Sequence, residues 1–350
     1  MRKILIIGPS WVGDMVMSQG LYIELKKRAP EAKIDVLAPA WCKPILERMP
    51  QVNQALEMPL GHGQFDLKAR YQIGKSLRHT EYDVAYVLPN SAKSALIPFF
   101  AKIPKRVGWK GEMRYGLLND IRTNKKSFQY MLERYVALAH PKQSMTGSGC
   151  LGELSTLPYP ALNVLESTQT DAMSKFGLNT DRPILGLCPG AEFGPAKRWP
   201  DNHFAHVATE MIKKGYQVWL FGSAKDKEVT TKIIEQVAKD KQQYCFNLAG
   251  DTSLIQAIDL IGACKTVVSN DSGLMHVAAA VGCNVVAVYG SSSPKYTPPL
   301  TKKLAVLNTD IDCRPCFQRT CPKQHMNCLV ELMPERVVSA IEGFDALSVG

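Results

Sequence analysis

Short apolar segments alternate with amphipathic segments along most of the chain. The apolar segments are rich in Val, Ile and Leu and end at turn-forming residues, which is typical of strands buried on both faces of a parallel sheet. In the first half the pattern predicts strands at 3–8, 33–38, 54–58, 83–88 and 106–109. Helices are predicted between them at 15–29, 41–49, 71–78 and 91–103.

The alternation breaks at 151–170, where two prolines and several Ser and Thr residues predict a linker. It then resumes, with predicted strands at 184–188, 217–221, 245–248, 266–270 and 284–289 and helices at 201–214, 225–239, 253–264, 273–281 and 334–341. We therefore predict an α/β protein of two Rossmann-like domains facing a central cleft. The predicted domains are 1–160 and 171–330, and the prediction leaves the helical segment 331–350 free to return to the first domain.

Composition narrows the class of protein. The chain of 350 residues is 45% hydrophobic and 21% charged, which is typical of a globular protein and excludes collagens and disordered chains. No apolar run approaches the roughly 18–20 residues that cross a bilayer, and the first one ends at Gly8, too early for a signal peptide. Six of the ten cysteines stand alone in apolar stretches, as buried thiols do in a reducing compartment. We therefore expect a cytoplasmic protein.

The net charge of +10 is confined to the first half of the chain. Residues 1–160 contain 23 Lys and Arg against 13 Asp and Glu, whereas residues 161–350 contain 19 of each. A surplus confined to one domain indicates an anionic partner for that domain. Nucleic acid, an anionic membrane surface and a phosphorylated substrate all remain open, as does a basic surface that only aids solubility.

The first predicted strand runs into a glycine-containing turn that ends at Gly13 and Asp14. The glycine spacing imitates a phosphate-binding P-loop, but Asp14 occupies the lysine position and would repel phosphate. The G-x-G-x-x-G pattern of dinucleotide-binding proteins is absent as well. Two roles remain open for Asp14: a general base at the end of the strand, or a cap of the following helix.

A second polar turn, 270–276, follows the predicted strand 266–270. Small and polar residues there leave backbone N–H groups free at a helix N-terminus, which is a site for an anion such as pyrophosphate. An ordinary capped helix is the alternative. His276 lies about one turn into the helix and, taken alone, is more typical of a structural histidine.

Two further strand ends carry candidate ligands. Lys197 and Arg198 follow the predicted strand 184–188, where two adjacent cations would neutralise a diphosphate or simply be solvated. Asp226 follows the strand 217–221 and would bind ribose hydroxyls or cap a helix. Because the carboxyl ends of parallel strands meet at one edge of a sheet, we expect these groups to form one site.

Taken together, the motifs resemble the ADP-heptose:lipopolysaccharide heptosyltransferases over nearly the whole chain, and most closely the members that add the second heptose. The segments that carry the resemblance are GPSWVGD at 8–14, PGAEFGPAKRWP at 189–200, LFGSAKD at 220–226 and NDSGLMH at 270–276. The resemblance implies the GT-B fold with the donor in the C-terminal domain. It implies that Asp14 is the catalytic base and that Lys197 contacts the donor phosphates. It also implies a substrate-binding set made of Gly13, Asp226 at the ribose, and Asp271, Ser272, Gly273 and His276 at the pyrophosphate.

The activity implied by the resemblance is transfer of L-glycero-D-manno-heptose from ADP-heptose to the first heptose of the lipopolysaccharide inner core, on heptosyl-Kdo2-lipid A. The transfer would invert the anomeric configuration and require no cofactor or metal. The implied location is the cytoplasm, peripheral on the inner face of the inner membrane, whose anionic surface would explain the basic first half.

Two alternatives to this activity remain. One is a sister heptosyltransferase that adds the first or third heptose. The other is a basic nucleic-acid- or nucleotide-binding protein, which the lack of a recognisable nucleic-acid module disfavours. We therefore expect no nucleic-acid partner.

Cys313, Cys316, Cys321 and Cys328, with His325 between them, form a separate cluster in the sequence. Such residues hold zinc in many proteins, but the spacing is irregular for a zinc ribbon. Structural zinc and a loop of reduced thiols both remain open, and no metal site is assigned.

Overall fold

The computed structural model describes residues 1–61 and 63–347. It divides into two compact units, Met1–Pro160 and a second unit that starts at Ala161. The last three residues of the predicted segment 331–350 lie outside the described residues.

The first unit is built on a parallel sheet of six strands. The strands are β1 (Lys3–Ile7), β2 (Lys33–Pro39), β3 (Gln54–Met58), β4 (Val84–Val87), β5 (Lys105–Trp109) and β6 (Asp120–Arg122), in the order β3-β2-β1-β4-β5-β6. The helices of this unit are α1 (Val12–Arg28), α2 (Lys43–Leu46), α3 (Leu67–Ser76), α4 (Ala92–Phe100) and α5 (Met131–Val136).

The second unit repeats this architecture. Its strands are β7 (Ile184–Cys188), β8 (Gln217–Leu220), β9 (Cys245–Asn247), β10 (Thr266–Asn270), β11 (Asn284–Val288) and β12 (Leu304–Leu307), in the order β12-β11-β10-β7-β8-β9. Its helices are α6 (Glu166–Phe176), α7 (Asp201–Lys213), α8 (Lys227–Gln236), α9 (Leu254–Gly262), α10 (Gly273–Ala280), α11 (Asn327–Val330) and α12 (Pro334–Leu347). None of the helices within the described ranges combines the length and apolar composition that crossing a bilayer requires.

The central strands of both sheets are buried on both faces. All five residues of β7 and β10 are buried, as is each residue of β1 after Lys3. Parallel strands flanked by crossover helices are buried on both faces in this way, and the predicted α/β class is therefore confirmed. In each sheet the direction of winding reverses once, between β1 and β4 and between β7 and β10. Ligands of open α/β sheets bind at such reversals, beyond the carboxyl ends of the strands.

The structure moves the predicted start of the first helix, places a helix in the predicted linker and adds three short elements. The first helix begins at Val12 rather than at residue 15, so Asp14 lies inside it. Helix α6 begins at Glu166, within the predicted linker 151–170, and is held to α9 by the Thr168 hydroxyl, which donates to Asp259 Oδ2 at 2.6 Å. The strands β6 and β12 and the helix α5 were not predicted; β6 and α5 are short segments that mix apolar with charged residues.

The closing helix α12 packs on the second unit. Val337 and Ile341 are fully buried in the hydrophobic core that Phe204 and Met211 of α7 also form. Residues 334–347 therefore contribute to the stability of the second unit. The sequence alone had not indicated against which domain this helix packs.

Candidate functional site

In the first unit the turn from β1 to α1 carries the predicted base. Gly8 leaves the sheet with its N–H donated to the Leu37 carbonyl at 2.9 Å, and a Cβ there would lie 2.9 Å from the Met15 side chain. Trp11 occupies the N-cap position of α1, and Gly13 and Asp14 are the second and third residues of the helix. Asp14 is thus in the first turn, where the helix dipole stabilises a negative charge.

Asp14 is half-buried among groups from several elements. The Tyr135 hydroxyl, from α5, donates a long hydrogen bond of 3.5 Å to Asp14 Oδ1. Burial and, secondarily, the charge of Asp14 raise the pKa of the Cys42 thiol to about 12. Burial and the neighbouring cations Arg134 and Arg114 lower the pKa of Lys125, and the charge of Asp14 opposes that shift. The Asp14 carboxylate is thus partly exposed and within electrostatic range of the Lys125 ammonium.

In the second unit, three neighbouring strands deliver the other predicted residues to one edge of the sheet. The strands β8, β7 and β10 lie side by side, and the predicted residues follow their carboxyl ends. Asn270, the last residue of β10, is fully buried and joins two of these segments. Its Nδ2 donates to the Pro189 carbonyl at 2.6 Å, and its Oδ1 accepts from the Trp199 N–H at 3.1 Å. Asn270 therefore fixes the loop that carries Lys197 relative to β10.

Lys197 and Asp271 form a partly buried ion pair. Lys197 Nζ lies 2.5 Å from Asp271 Oδ2, and the two side chains are 17% and 5% exposed. The same carboxylate oxygen accepts a hydrogen bond of 2.5 Å from the Ser292 hydroxyl. The Lys197 ammonium also lies 4.9 Å from the centre of the Phe193 ring. These contacts hold a cation beside the start of α10.

The N-terminus of α10 provides backbone donors at the same place. Ser272 is the N-cap in an extended conformation, its side chain does not cap the helix, and Gly273 is the first helical residue. The Ser272 hydroxyl lies 3.2 Å from the Ser269 hydroxyl. The first N–H groups of a helix have no intrahelical acceptor, and with the helix dipole they favour an anion.

His276 lies one turn further along α10 and is buried. Burial lowers its pKa to about 4, an effect that the charge of Asp271 opposes and that of Lys197 reinforces. The imidazole is therefore neutral at pH 7 and can both donate and accept a hydrogen bond. The structure thus brings Lys197, Asp271, Ser272, Gly273 and His276 together.

Asp226 lies at the end of the neighbouring strand β8. Its Oδ2 accepts hydrogen bonds from the Ser223 N–H at 2.9 Å and from the Ser223 hydroxyl at 2.8 Å, which makes a capping box. Gly190, after β7, lies directly against this carboxylate, and a Cβ there would be 2.6 Å from its atoms. The capping role of Asp226 is therefore present, and only a glycine at position 190 leaves room for its carboxylate.

Sequence reasoning missed the residues that support Lys197 from a distant segment. The Arg319 carbonyl accepts the Ala196 N–H at 3.0 Å, and the Arg319 guanidinium lies 5.0 Å from the Phe193 ring centre. More than 120 residues separate Arg319 from this turn. No local sequence pattern indicates such a distant contact. Asn270, in contrast, lies at the end of a predicted strand, and that position could have marked Asn270 as a candidate site residue.

The cysteines of the same distant segment line a small cavity of about 20 Å³ beside Ala196 and Ser291. Backbone N–H groups directed at its sulfur lower the pKa of the Cys321 thiol, while burial raises that of Cys328. Within the part of the chain that the structure describes, no three His, Cys, Asp or Glu side chains form a group able to hold a metal ion.

Comparison with known proteins identifies the family. The model of glycosyltransferase family 9 (heptosyltransferase) matches residues 70–327. Lipopolysaccharide heptosyltransferase 2 of Escherichia coli K12 is 52% identical over 340 residues, which cover 97% of each chain. Lipooligosaccharide heptosyltransferase 2 of Haemophilus influenzae is 55% identical over 309 residues, covering 87% of this chain and 88% of the relative.

The fold has a solved counterpart. The structure of E. coli ADP-heptose lps heptosyltransferase II superposes with a TM-score of 0.89 at 49% identity, over 99% of this chain and all of that one. The match confirms the GT-B fold that the motifs implied and the expectation that the chain is an enzyme, a glycosyltransferase. The chain belongs to glycosyltransferase family 9, the heptosyltransferases.

Proposed function

We propose that this enzyme transfers L-glycero-D-manno-heptose from ADP-heptose to the first heptose of the lipopolysaccharide inner core, on heptosyl-Kdo2-lipid A. The observation that carries the proposal is the anion site at the start of α10, where Lys197 and Asp271 pair at 2.5 Å in a chain of the heptosyltransferase family. The relatives at 52% and 55% identity both bear the number 2 in their names, which favours the second heptose over the first or third.

The second unit binds the donor in this proposal. The diphosphate of ADP-heptose accepts hydrogen bonds from the first N–H groups of α10 and from Ser272, and Lys197 neutralises part of its charge. Because His276 is neutral, it can donate a hydrogen bond to the diphosphate without repelling the nearby Lys197 ammonium. Asp226 accepts hydrogen bonds from the ribose hydroxyls through oxygen lone pairs that Ser223 does not use. No cofactor or metal takes part.

The first unit binds the acceptor and supplies the base. The acceptor hydroxyl oxygen attacks the anomeric carbon of the heptose while the bond from that carbon to the phosphate oxygen breaks, and ADP leaves with the bonding electrons. The proton of the hydroxyl passes to the Asp14 carboxylate. Because this is a single displacement, the β-linked donor gives an α-linked product.

The enzyme is proposed to act in the cytoplasm at the inner face of the inner membrane. Its acceptor carries carboxylates and phosphates at the membrane surface, and the first unit has a surplus of ten positive charges, from 23 Lys and Arg against 13 Asp and Glu. Opposite charges at two surfaces attract at long range and accelerate encounter.

Transfer from ADP-heptose to defined truncated lipopolysaccharides tests the proposal. An acceptor that ends in one heptose should gain a second, detected by mass spectrometry, whereas an acceptor that ends in Kdo should not react. Transfer to the Kdo acceptor alone would assign the enzyme to the first heptose. Transfer only to a two-heptose acceptor would assign it to the third, and no reaction with any acceptor would contradict the proposal.

A further inference from the structure

A group of large apolar side chains is exposed on one surface of the first unit. Phe65 is 59% exposed, Leu67 48%, and Tyr71 and Phe99 42% each. They come from the loop before α3, from α3 itself and from the end of α4. Charged or polar residues normally cover such a helical surface, so a surface rich in exposed Phe, Leu and Tyr marks a contact with another apolar phase.

Three of these side chains are neighbours in space, and Phe65 lies two residues before Leu67 in the loop that leads into α3. Leu67 and Tyr71 are four residues apart on α3 and therefore lie on the same side of that helix. The Tyr71 ring meets the Phe100 ring edge to face at 5.3 Å, and the Phe100 ring lies 5.7 Å from that of Phe99. Gly74 allows this close approach, because a Cβ there would lie 2.6 Å from the Phe100 Cβ.

Lysines border the same surface. Lys68 and Lys75 are exposed on α3, three residues before and four residues after Tyr71, and Lys102 is exposed just beyond α4. Residues 65–106 contain eight Lys and Arg against three Asp and Glu. One of the acidic residues, Asp66, caps α3 by accepting the Ala69 N–H at 2.9 Å. We call this surface the α3 face, and define it as Phe65, Leu67, Lys68, Tyr71, Lys75, Phe99 and Lys102.

We propose that the α3 face docks on an anionic lipid bilayer, with its aromatic and aliphatic side chains in the interfacial region and its lysines at lipid phosphates. The chemistry of the surface favours this occupant, because apolar side chains alternating with lysines match the apolar and anionic layers of a bilayer surface. Long lysine side chains reach the headgroups while their methylene stems stay among apolar groups. This inference rests on the proposed function in one respect: the proposed acceptor is anchored in a membrane, and docking there would bring the enzyme to it.

Binding to vesicles tests the inference directly. The full chain should sediment with vesicles of phosphatidylcholine and phosphatidylglycerol, and much less with phosphatidylcholine alone. The variant Lys68→Gln/Lys75→Gln/Lys102→Gln should bind the anionic vesicles about 100-fold more weakly, at roughly fivefold per lysine. The variant Phe65→Ser/Leu67→Ser should bind about tenfold more weakly by losing its apolar contacts.

Matched controls come from the second unit. The variant Lys213→Gln/Lys232→Gln/Lys239→Gln removes the same charge from exposed positions, and Leu165→Ser/Met333→Ser removes two comparably exposed apolar side chains. Both should bind vesicles as the unaltered chain does. Melting temperature and ADP binding, measured for every variant, identify a folding defect. A Phe65→Trp variant gives a second measurement that does not depend on weakening the binding. The fluorescence emission that the new tryptophan adds should shift to the blue when anionic vesicles are present, because the indole ring enters a less polar environment.

Equal losses in the α3-face and control variants would overturn the inference, since binding would then depend on net charge alone. So would a dimer that the Phe65→Ser/Leu67→Ser variant converts to a monomer, because a second copy would then cover the surface. The unaltered chain is also assayed with a detergent-solubilised one-heptose acceptor. Transfer without vesicle binding refutes only the docking, whereas selective vesicle binding without transfer refutes only the proposed reaction.

Discussion

Replacing Lys197 by alanine removes the ammonium group that lies between Asp271 and the Phe193 ring, 2.5 Å from the carboxylate oxygen. The substitution should have two separate effects. It should destabilise the second unit, because a buried carboxylate loses its partner, and it should weaken ADP binding, because the donor phosphates lose a cation.

The effect on stability follows from the burial of the pair. Removing one partner of a buried ion pair costs about 3–5 kcal/mol, and the lower end applies here because the Ser292 hydroxyl still donates to Asp271 at 2.5 Å. For a unit of this size, about 3 kcal/mol lowers the melting temperature by roughly 6–12 °C. The exposed pair of Lys225 and Glu192, at 2.6 Å, is a matched control, and its loss should cost less than about 1 kcal/mol.

The effect on ADP binding follows from one lost charge-assisted hydrogen bond. Such a bond contributes about 1.5–3 kcal/mol, so the Kd for ADP should rise by roughly 10- to 150-fold. Isothermal titration calorimetry measures this change directly. Thermal shift with ADP and with NAD should show stabilisation of the unaltered protein by ADP alone, since ligands stabilise the state that binds them.

The double substitution Lys197→Ala/Asp271→Asn separates the two effects. It removes the unpaired charge together with the lost cation, so most of the melting temperature should return while ADP binding stays weak. Asp271→Asn alone is the matched control, because losing that carboxylate also lessens its repulsion of the diphosphate. If the double variant bound ADP as tightly as Asp271→Asn does, Lys197 would only hold the fold, and the reasoning about the donor phosphates would be wrong. An unchanged Kd in the single variant would remove Lys197 from the donor site altogether.

Three other substitutions test Asp14, Asp226 and His276. Asp14→Asn should lower kcat by about 10²–10⁴-fold, with ADP binding and melting temperature nearly unchanged, and near-normal transfer would contradict the base assignment. Gly190→Ala places a Cβ 2.6 Å from the Asp226 carboxylate and should weaken ADP binding, unlike Gly343→Ala, whose Cβ meets nothing within 4 Å. The pKa of His276 is about 4 when folded against 6.5 when exposed, so its stabilising contribution is complete above pH 6.5 and is lost as the pH falls towards 4. A pH series of urea unfolding should show about 3 kcal/mol of this loss in the unaltered chain and not in His276→Gln.

The strands were predictable because burial on both faces leaves a direct mark on the sequence. The strand β7 is a continuous run of apolar or small residues, β10 has two valines at its centre, and the predicted bounds of both agree with the structure. Where a segment is short or mixes charges with apolar residues, as in Asp120–Arg122, its pairing with β5 decides the conformation. Such pairing depends on residues far away in the chain, so local pattern cannot reveal it.

The start of α1 shows why helix boundaries were harder to predict. The helix begins after Trp11, which lacks the side-chain acceptor of the usual N-cap residues, and the pattern of apolar residues first becomes helical at Met15. The predicted start was therefore three residues late. The error matters for function, because it placed Asp14 before the helix when the carboxylate in fact lies within the first turn.

The site residues that directly follow a strand could be predicted from the sequence. The residues that reach the site from distant segments of the chain could not. Lys197, Asp226 and Asp271 follow the strands β7, β8 and β10, which lie side by side, so a parallel sheet necessarily gathers them at one edge. Ser292 and Arg319 reach the same place from later segments, through a hydroxyl and a backbone carbonyl that any of several residue types could supply.

The buried amide of Asn270 links the fold to the chemistry of this edge. A fully buried amide must have its hydrogen-bonding groups satisfied, and Asn270 satisfies them with backbone groups of Pro189 and Trp199, on either side of the lysine turn. The position of Lys197 is therefore set by a requirement of folding, before any donor binds. Pre-positioned charge stabilises a departing diphosphate more effectively than charge that must first be ordered. In the proposed reaction, a buried amide whose hydrogen bonds go to the backbone would thus determine how well the site holds the donor.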